Sequence, residues 1–258
     1  MLITLIGAGN LATQLGLALQ DAGHRFQQVY SHTAGSAAML AFQLKAEAVT
    51  DPALIQPGAD LYLCALKDDV IQEVLCKLTF SKSLLVHTAG SLPMEILADF
   101  STDYGVFYPL QTFSKGRRTD FSTIPVFVEA VRPDSLNLLT DLASGISGIV
   151  SPLSSDKRKT LHLSAVFACN FVNYLYGIAD DLLHEQGLDF NYLLPLIDET
   201  AAKVHELSPA SAQTGPAVRY DEQVMNRHLE WLQSHPEWAT LYKTLSLGIY
   251  QRKNTDTL

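Results

Sequence analysis

Gly7-Ala8-Gly9-Asn10-Leu11-Ala12 sits between an apolar run, Leu2–Ile6, and an amphipathic segment, Leu11–Ala22. These residue types fit one chemistry. Gly7 permits a tight turn out of a strand, Gly9 lets the backbone approach a pyrophosphate, and Ala12 takes the third small position, where a helix packs closely on the strand. The helix start then offers free N–H groups and positive potential to phosphates. Gly7, Ala8, Gly9, Asn10 and Leu11 are therefore the expected phosphate contacts. The competing reading is a glycine-rich turn in some other α/β protein, and the strand before and helix after weigh against it.

Dinucleotide choice depends on the end of the second strand, Phe26–Tyr30. An Asp or Glu there would bind ribose hydroxyls; this chain has Ser31, His32 and Thr33. With no acid to repel a 2′-phosphate and three donors nearby, NADP is the expected cofactor and NAD the second choice.

Later strand ends face the same crevice in doubly wound folds. Leu66 and Lys67 follow the apolar strand Asp60–Leu66 and are expected to border the cofactor, with Asp68 as a helix cap. His87-Thr88-Ala89-Gly90-Ser91 follows the strand Leu84–His87. His87 there could orient the nicotinamide or give a proton. Ser91 could meet substrate or cap the next helix.

From Asp156 to Gln186 the sequence reads as one long helix, with Ser154 or Ser155 as cap and Gly187 as stop. A 100° step aligns His162, Val166, Cys169, Asn173, Gly177, Asp180 and His184, with Asn170 at the edge. The rest of the circumference is mostly apolar, which predicts a buried helix whose polar stripe faces a cleft. His162 is the first choice for proton donor, His87 the second, and Asn170 an orienting residue; core packing of His162 is the alternative. The small-residue loop Ser208–Pro216 leads to Arg219 and Asp221. There Gln213, Thr214 and Arg219 form a candidate corner for a substrate carboxylate, or Thr214 is a plain helix cap with Pro216 in the first turn.

The elements that must position these residues change character along the chain. Up to Val126–Glu129 short strands alternate with helical segments, which predicts a mostly parallel sheet covered on both faces. Beyond Pro152 everything reads as helix: 156–186, 192–207, 221–234 and 237–251. The expected division is residues 1–152, binding a dinucleotide, and 153–258, for substrate and dimerisation.

Composition excludes other classes. The 258 residues are 47% hydrophobic and 17% charged, enough for a core and too little charge for disorder. Lys plus Arg number 18 against 27 Asp plus Glu, a net charge of −9, and basic residues cluster only in short groups such as Arg117-Arg118, so no nucleic-acid partner is expected. Cys64, Cys76 and Cys169 are scattered, which fits a reducing compartment and gives neither a disulfide framework nor a zinc site. The Met1–Leu19 stretch lacks a basic start and is broken by Gly7, Gly9 and Asn10, unlike a signal peptide. No uninterrupted run of eighteen apolar residues occurs. The expectation is a soluble, cytoplasmic protein with no membrane partner.

Together the strings GAGNLATQLG, VYSHT, ALKDD, HTAGS, YGVFYPLQTFSK, LHLSAVFACNF, PLIDETAAKVHEL and AQTGPAVRYD make the whole chain resemble a bacterial family. That family joins a Rossmann-like domain to a helical domain of unknown function, and its members carry generic NADP oxidoreductase names. The layout is distantly similar to pyrroline-5-carboxylate reductases and β-hydroxyacid dehydrogenases, whose helical domains form dimers and close the active site. The resemblance implies that Ser31 contacts the cofactor; His32 stands where relatives commonly have Arg. Counted back from Gly187-Leu188-Asp189, His162 falls near the catalytic lysine of the β-hydroxyacid dehydrogenases.

The expected fold is α/β, a Rossmann doubly wound parallel sheet followed by an all-α domain. The expected function is hydride transfer between NADPH and a small carbonyl or imine substrate in a homodimer built through the helical domain. The alternative is an NADP(H)-binding sensor or assembly module without turnover.

Overall fold

Alternating side chains decide the sheet. In β1 (Leu2–Ile6) Ile3 and Leu5 enter one apolar layer and Ile6 the other; β4 (Leu61–Cys64) sends Leu61 and Leu63 one way and Tyr62 and Cys64 the other. Near-continuous apolar strands of this kind are buried on both faces. The computed structural model describes residues 1–78, 80 and 83–255.

β1 and β4 are central in an eight-stranded sheet that also contains β2 (Arg25–Tyr30), β3 (Glu47–Val49), β5 (Leu84–His87), β6 (Tyr104–Pro109), β7 (Val126–Ala130) and β8 (Val150–Pro152). The order is β3-β2-β1-β4-β5-β6-β7-β8, and every pairing is parallel except β6 with β7. The first six strands follow the doubly wound Rossmann order, so strand ends converge beside the β1–β4 switch point. α1 (Asn10–Asp21) and α2 (Ala34–Leu44) fill one layer through Ala12, Leu15, Leu19, Leu40 and Leu44. α3 (Ile71–Leu75) covers the other with Ile71 and Leu75. α4 (Pro133–Ser144) joins the first layer through Leu139, Leu142 and Ala143.

The expected α/β class and parallel sheet are present. The helix that Asp68 is expected to cap is short, a 3-10 turn at Asp68–Val70 and then α3 alone, and Asp68 lies inside that turn with its carboxylate accepting from Ser91 instead of capping it. α4 and β8 go unnamed in the sequence reading, although Pro133 at the first helical position and the apolar spacing of Leu139, Leu142 and Ala143 signal α4.

The long helix is continuous from Ser155 to Glu185 but not uniform. α5 (Ser155–Ala165) passes into a π turn, Val166–Phe171, and then α6 (Val172–Glu185). One expectation holds only in part and one fails. The π turn breaks the 100° step partway along the stripe: His162, Val166 and Cys169, with Asn170, line one pocket, and Asn173, Gly177, Asp180 and His184 are not among its lining residues. The helix is also not buried: beyond Arg158 none of its residues is buried, and Leu163, Phe167 and Tyr174 are each more than half exposed. By length and mean hydropathy of 1.2 this helix alone among the described residues passes for a membrane span. His162, Ser164, Asn170 and Asn173 interrupt its apolar stretch, and its first turn is tied to the sheet, as described below.

The chain divides into two compact units, Met1–Asn170 and Phe171–Leu258. The second is helical, as expected: α6 is followed by α7 (Leu194–Glu206), α8 (Pro209–Ala212), α9 (Glu222–Trp231) and α10 (Pro236–Thr255). α8 lies inside the segment read as a small-residue loop. Ser208 starts it, its Oγ accepting from the Ser211 N–H at 3.2 Å.

Candidate active site

Gly7 leaves β1 with φ +122°, and a Cβ there would stand 2.3 Å from the Ala65 carbonyl oxygen. Left-handed backbone and close approach both demand glycine. Its N–H donates to the Tyr30 carbonyl at 2.8 Å, fixing the loop against β2. Gly9 is the N-cap of α1, with no side chain to satisfy the first turn, and nothing lies within 4 Å of where its Cβ would be. The first N–H groups of a helix have no intrahelical partner. The first turn of α1 carries no acidic residue, so its positive end faces open space.

That space is a cavity of about 630 Å³. Gly7, Ala8, Gly9, Ser31, His32 and Thr33 line it, and Leu66 and Lys67 close it from the end of β4. Of the expected cofactor contacts, Asn10 and Leu11 alone fall outside, on the adjoining clefts. Ser31 is buried; its N–H donates to the Val49 carbonyl at 3.1 Å, and its Oγ accepts from the Thr33 N–H at 3.3 Å. No carboxylate stands at the end of β2, although Asp69 and Glu73 border the cavity.

Sequence reasoning missed Lys115, which also lines this cavity. Its loop hangs on α1. The Asn10 Nδ2 donates to the Phe113 carbonyl at 2.9 Å, the buried Gln14 Nε2 donates to the Ser114 carbonyl at 2.9 Å, and the Thr119 N–H donates to Gln14 Oε1 at 3.0 Å. Side chains of the glycine-loop helix thus hold a cation over the loop. The available signal was a lone lysine after a strand, which ordinarily reads as surface.

A second cleft, about 310 Å³, continues from Gly9 past Leu66, Lys67 and Ser91 to Tyr108 and His162. His162 Nδ1 is 3.0 Å from the Tyr108 hydroxyl, the rings meeting edge to face. Burial pushes the Tyr108 hydroxyl above the usual phenol range, with the Arg158 charge drawing it partly back. His162 also presses on the β5 loop: a Cβ on Gly90 would lie 2.6 Å from His162 Cγ and Nδ1.

Arg158, one helical turn before His162, sets this geometry. It is fully buried; its guanidinium donates to Glu129 Oε2 and the Leu92 carbonyl, both at 2.5 Å, and to the Ala89 carbonyl at 3.2 Å. Glu129 in turn accepts from the Ser155 N–H and Oγ at 2.8 and 2.7 Å. The start of α5 is thereby fixed to β7 and to the loop after β5. In sequence Arg158 lies within Lys157-Arg158-Lys159, a run that reads as solvated.

The other candidates separate. His87 is fully buried and faces backbone: Nδ1 accepts from the Ala89 N–H at 3.1 Å, which leaves Nε2–H to donate to the Pro93 carbonyl at 3.3 Å. Burial, then the Arg158 charge, pushes its pKa down to about 4. With both ring nitrogens engaged, His87 holds the loop rather than facing either cleft. Ser91 lies on the second cleft, where its hydroxyl donates to the Asp68 carboxylate. Asn170 lines a further pocket, beside His162, with Leu161, Ala165 and Cys169. Thr214 and Arg219 belong to the second unit, where Arg219 ends a 3-10 turn, Ala217–Arg219.

Comparison with known proteins supplies context for this geometry. Residues 1–111 match the Rossmann-like domain family, and residues 124–249 match the domain of unknown function DUF2520. A Bacteroides fragilis protein, named in its crystal structure as a putative NADP oxidoreductase, is 49% identical with a TM-score of 0.94, over 97% of this chain and 98% of that one. A Myxococcus stipitatus imine reductase in complex with NADP+ aligns with a TM-score of 0.66 at 14% identity, over 100% of this chain and 94% of that one. The 1-pyrroline-5-carboxylate reductase of Streptococcus pyogenes aligns with a TM-score of 0.63 at 16% identity, over 97% and 98%. At such identities the last two likenesses are of fold. No curated protein sequence matches the chain.

Proposed function

Because the chain belongs to the family that joins a Rossmann-like domain to a DUF2520 domain, we propose that it is an NADP(H)-dependent oxidoreductase acting on a small carbonyl or imine. One observation carries the reading. His162 and Tyr108 stand where the cleft running from the glycine loop meets a separate, largely apolar pocket.

When bound, the cofactor supplies the hydride chemistry; the protein positions and protonates. The α1 N-terminus and Lys115 would hold the phosphates, and Ser31, His32 and Thr33 would take the 2′-phosphate. With the Tyr108 hydroxyl donating to His162 Nδ1, the ring's proton sits on Nε2; as Nε2 gives it to a substrate oxygen or nitrogen, Nδ1 takes the Tyr108 proton and the ring stays neutral. Asn170 orients the substrate. The names of the Bacteroides protein and the NADP+-bound imine reductase support this cofactor and reaction class.

The proposal extends to assembly. In the second unit α6, α7 and α9 bury no residue, and Tyr192, Leu196 and Trp231 are each more than half exposed. So much apolar surface calls for cover, and an isologous homodimer through residues 153–258 provides it. Residues 1–152 then carry the cofactor. The three free cysteines suit the cytoplasm. Calorimetric titration with NADPH and NADH tests the cofactor assignment: tighter NADPH binding is expected, and equal affinity or a preference for NADH refutes it.

A further inference from the structure

The pocket beyond His162 has a chemistry of its own. It holds about 630 Å³, within the range of roughly 300–1,000 Å³ common for small-ligand sites. One wall is the β6 end and its following loop, Tyr108–Phe113; the other is the α5 face and π turn from Leu161 to Asn170. Leu11, Leu110, Phe113, Leu161, Ala165 and Val166 make it mainly apolar. Its polar groups, among them Gln111, Thr112, Ser164 and Asn170, are uncharged. Among the described residues, no Lys, Arg, Asp or Glu lines it.

A carboxylate entering such a pocket loses its water and meets no opposite charge, a transfer that strongly disfavours binding. An apolar body with one carbonyl or imine group loses little, and its heteroatom can reach His162. Arg158, one turn away, gives no help because its donors are engaged by Glu129, Ala89, Leu92 and Ser155. Resting on the reductase reading above, we infer that the substrate is an uncharged, predominantly apolar ketone or imine, and that carboxylate-bearing analogues are rejected. The balance is simple. Bound NADPH would supply the hydride to the carbon; the C=O or C=N π pair would take the His162 Nε2 proton while the Tyr108 hydroxyl proton passes to Nδ1, leaving neutral imidazole, and water would return a proton to Tyr108 as the alcohol or amine leaves.

The test uses the full-length protein with NADPH and matched probes: phenylacetone against phenylpyruvate, and 2-methyl-1-pyrroline against 1-pyrroline-2-carboxylate. The uncharged member of a pair is expected to show kcat/KM at least 10-fold higher. Ala165→Arg, which adds a cation to the wall, is expected to narrow or reverse that ratio while NADPH affinity stays as in the parent. Equal or faster turnover of the carboxylates overturns the substrate class and leaves the reductase reading standing. No turnover of any probe, with NADPH bound, overturns the reductase reading and this inference with it.

Discussion

Gly90 and His162 occupy space that admits no methyl group between them: a Cβ on Gly90 would meet the imidazole at 2.6 Å. The glycine lies in the loop after β5 and the histidine on α5, so the fit joins a strand end to a helix face. Gly90→Ala must therefore displace the ring or the loop. A misplacement near 1 Å costs about 10²-fold in rate, so kcat is expected to fall by roughly that factor with NADPH affinity unchanged. Steady-state kinetics and cofactor titration check both halves.

The proton-donor assignment separates His162 from Tyr108. His162→Ala is expected to lower turnover about 10²-fold or more. Tyr108→Phe, which leaves the ring but removes its partner, is expected to cost roughly 10-fold, a barrier change near 1.4 kcal/mol. Full activity in His162→Ala would end its role as donor.

His87 makes stability depend on pH. Its folded pKa is depressed to about 4, so below the ordinary value near 6.5 the unfolded chain binds the proton and the folded one does not. Stability is therefore fully present above about 6.5 and is lost as pH falls toward 4, by about 3 kcal/mol in all. Urea unfolding at several pH values should show this slope, and His87→Gln should flatten it.

Glu129, partly buried, pairs with the fully buried Arg158, and its loss leaves the guanidinium without its counter-charge. Glu129→Ala is expected to destabilise by about 3–5 kcal/mol, whereas replacing both by apolar residues of similar volume recovers much of that loss. Chemical denaturation of the single and double variants measures the difference.

Light scattering at micromolar concentration is expected to give twice the chain mass, and Leu196→Glu to lower it. A parent protein that runs as a monomer contradicts the proposed dimer.

The glycine loop was legible because its evidence is local: a strand, two glycines, a small residue and a helix within a dozen positions. Parallel pairing was legible from the alternation of strands and helices. The Tyr108–His162 pair was not, since 54 residues separate its members and only the sheet topology joins them. Lys115 and Arg158 were hidden for a different reason. Exposed and buried cations look alike in sequence until the accepting carbonyls, which every residue possesses, are placed. The polar stripe of the long helix was legible only as far as Cys169, because sequence spacing alone did not reveal the π turn that resets the helical step.

The two glycines of the first loop are separable handles. Gly7 is hemmed in by the chain's own Ala65 carbonyl, whereas Gly9 faces open volume. Enlarging the first harms folding before it harms any ligand. Enlarging the second leaves the polypeptide intact and fills the room a pyrophosphate would take. A bulky residue at position 9 is thus expected to give a folded twin whose glycine loop is filled, a reagent that separates what depends on nucleotide binding from what depends on the fold alone.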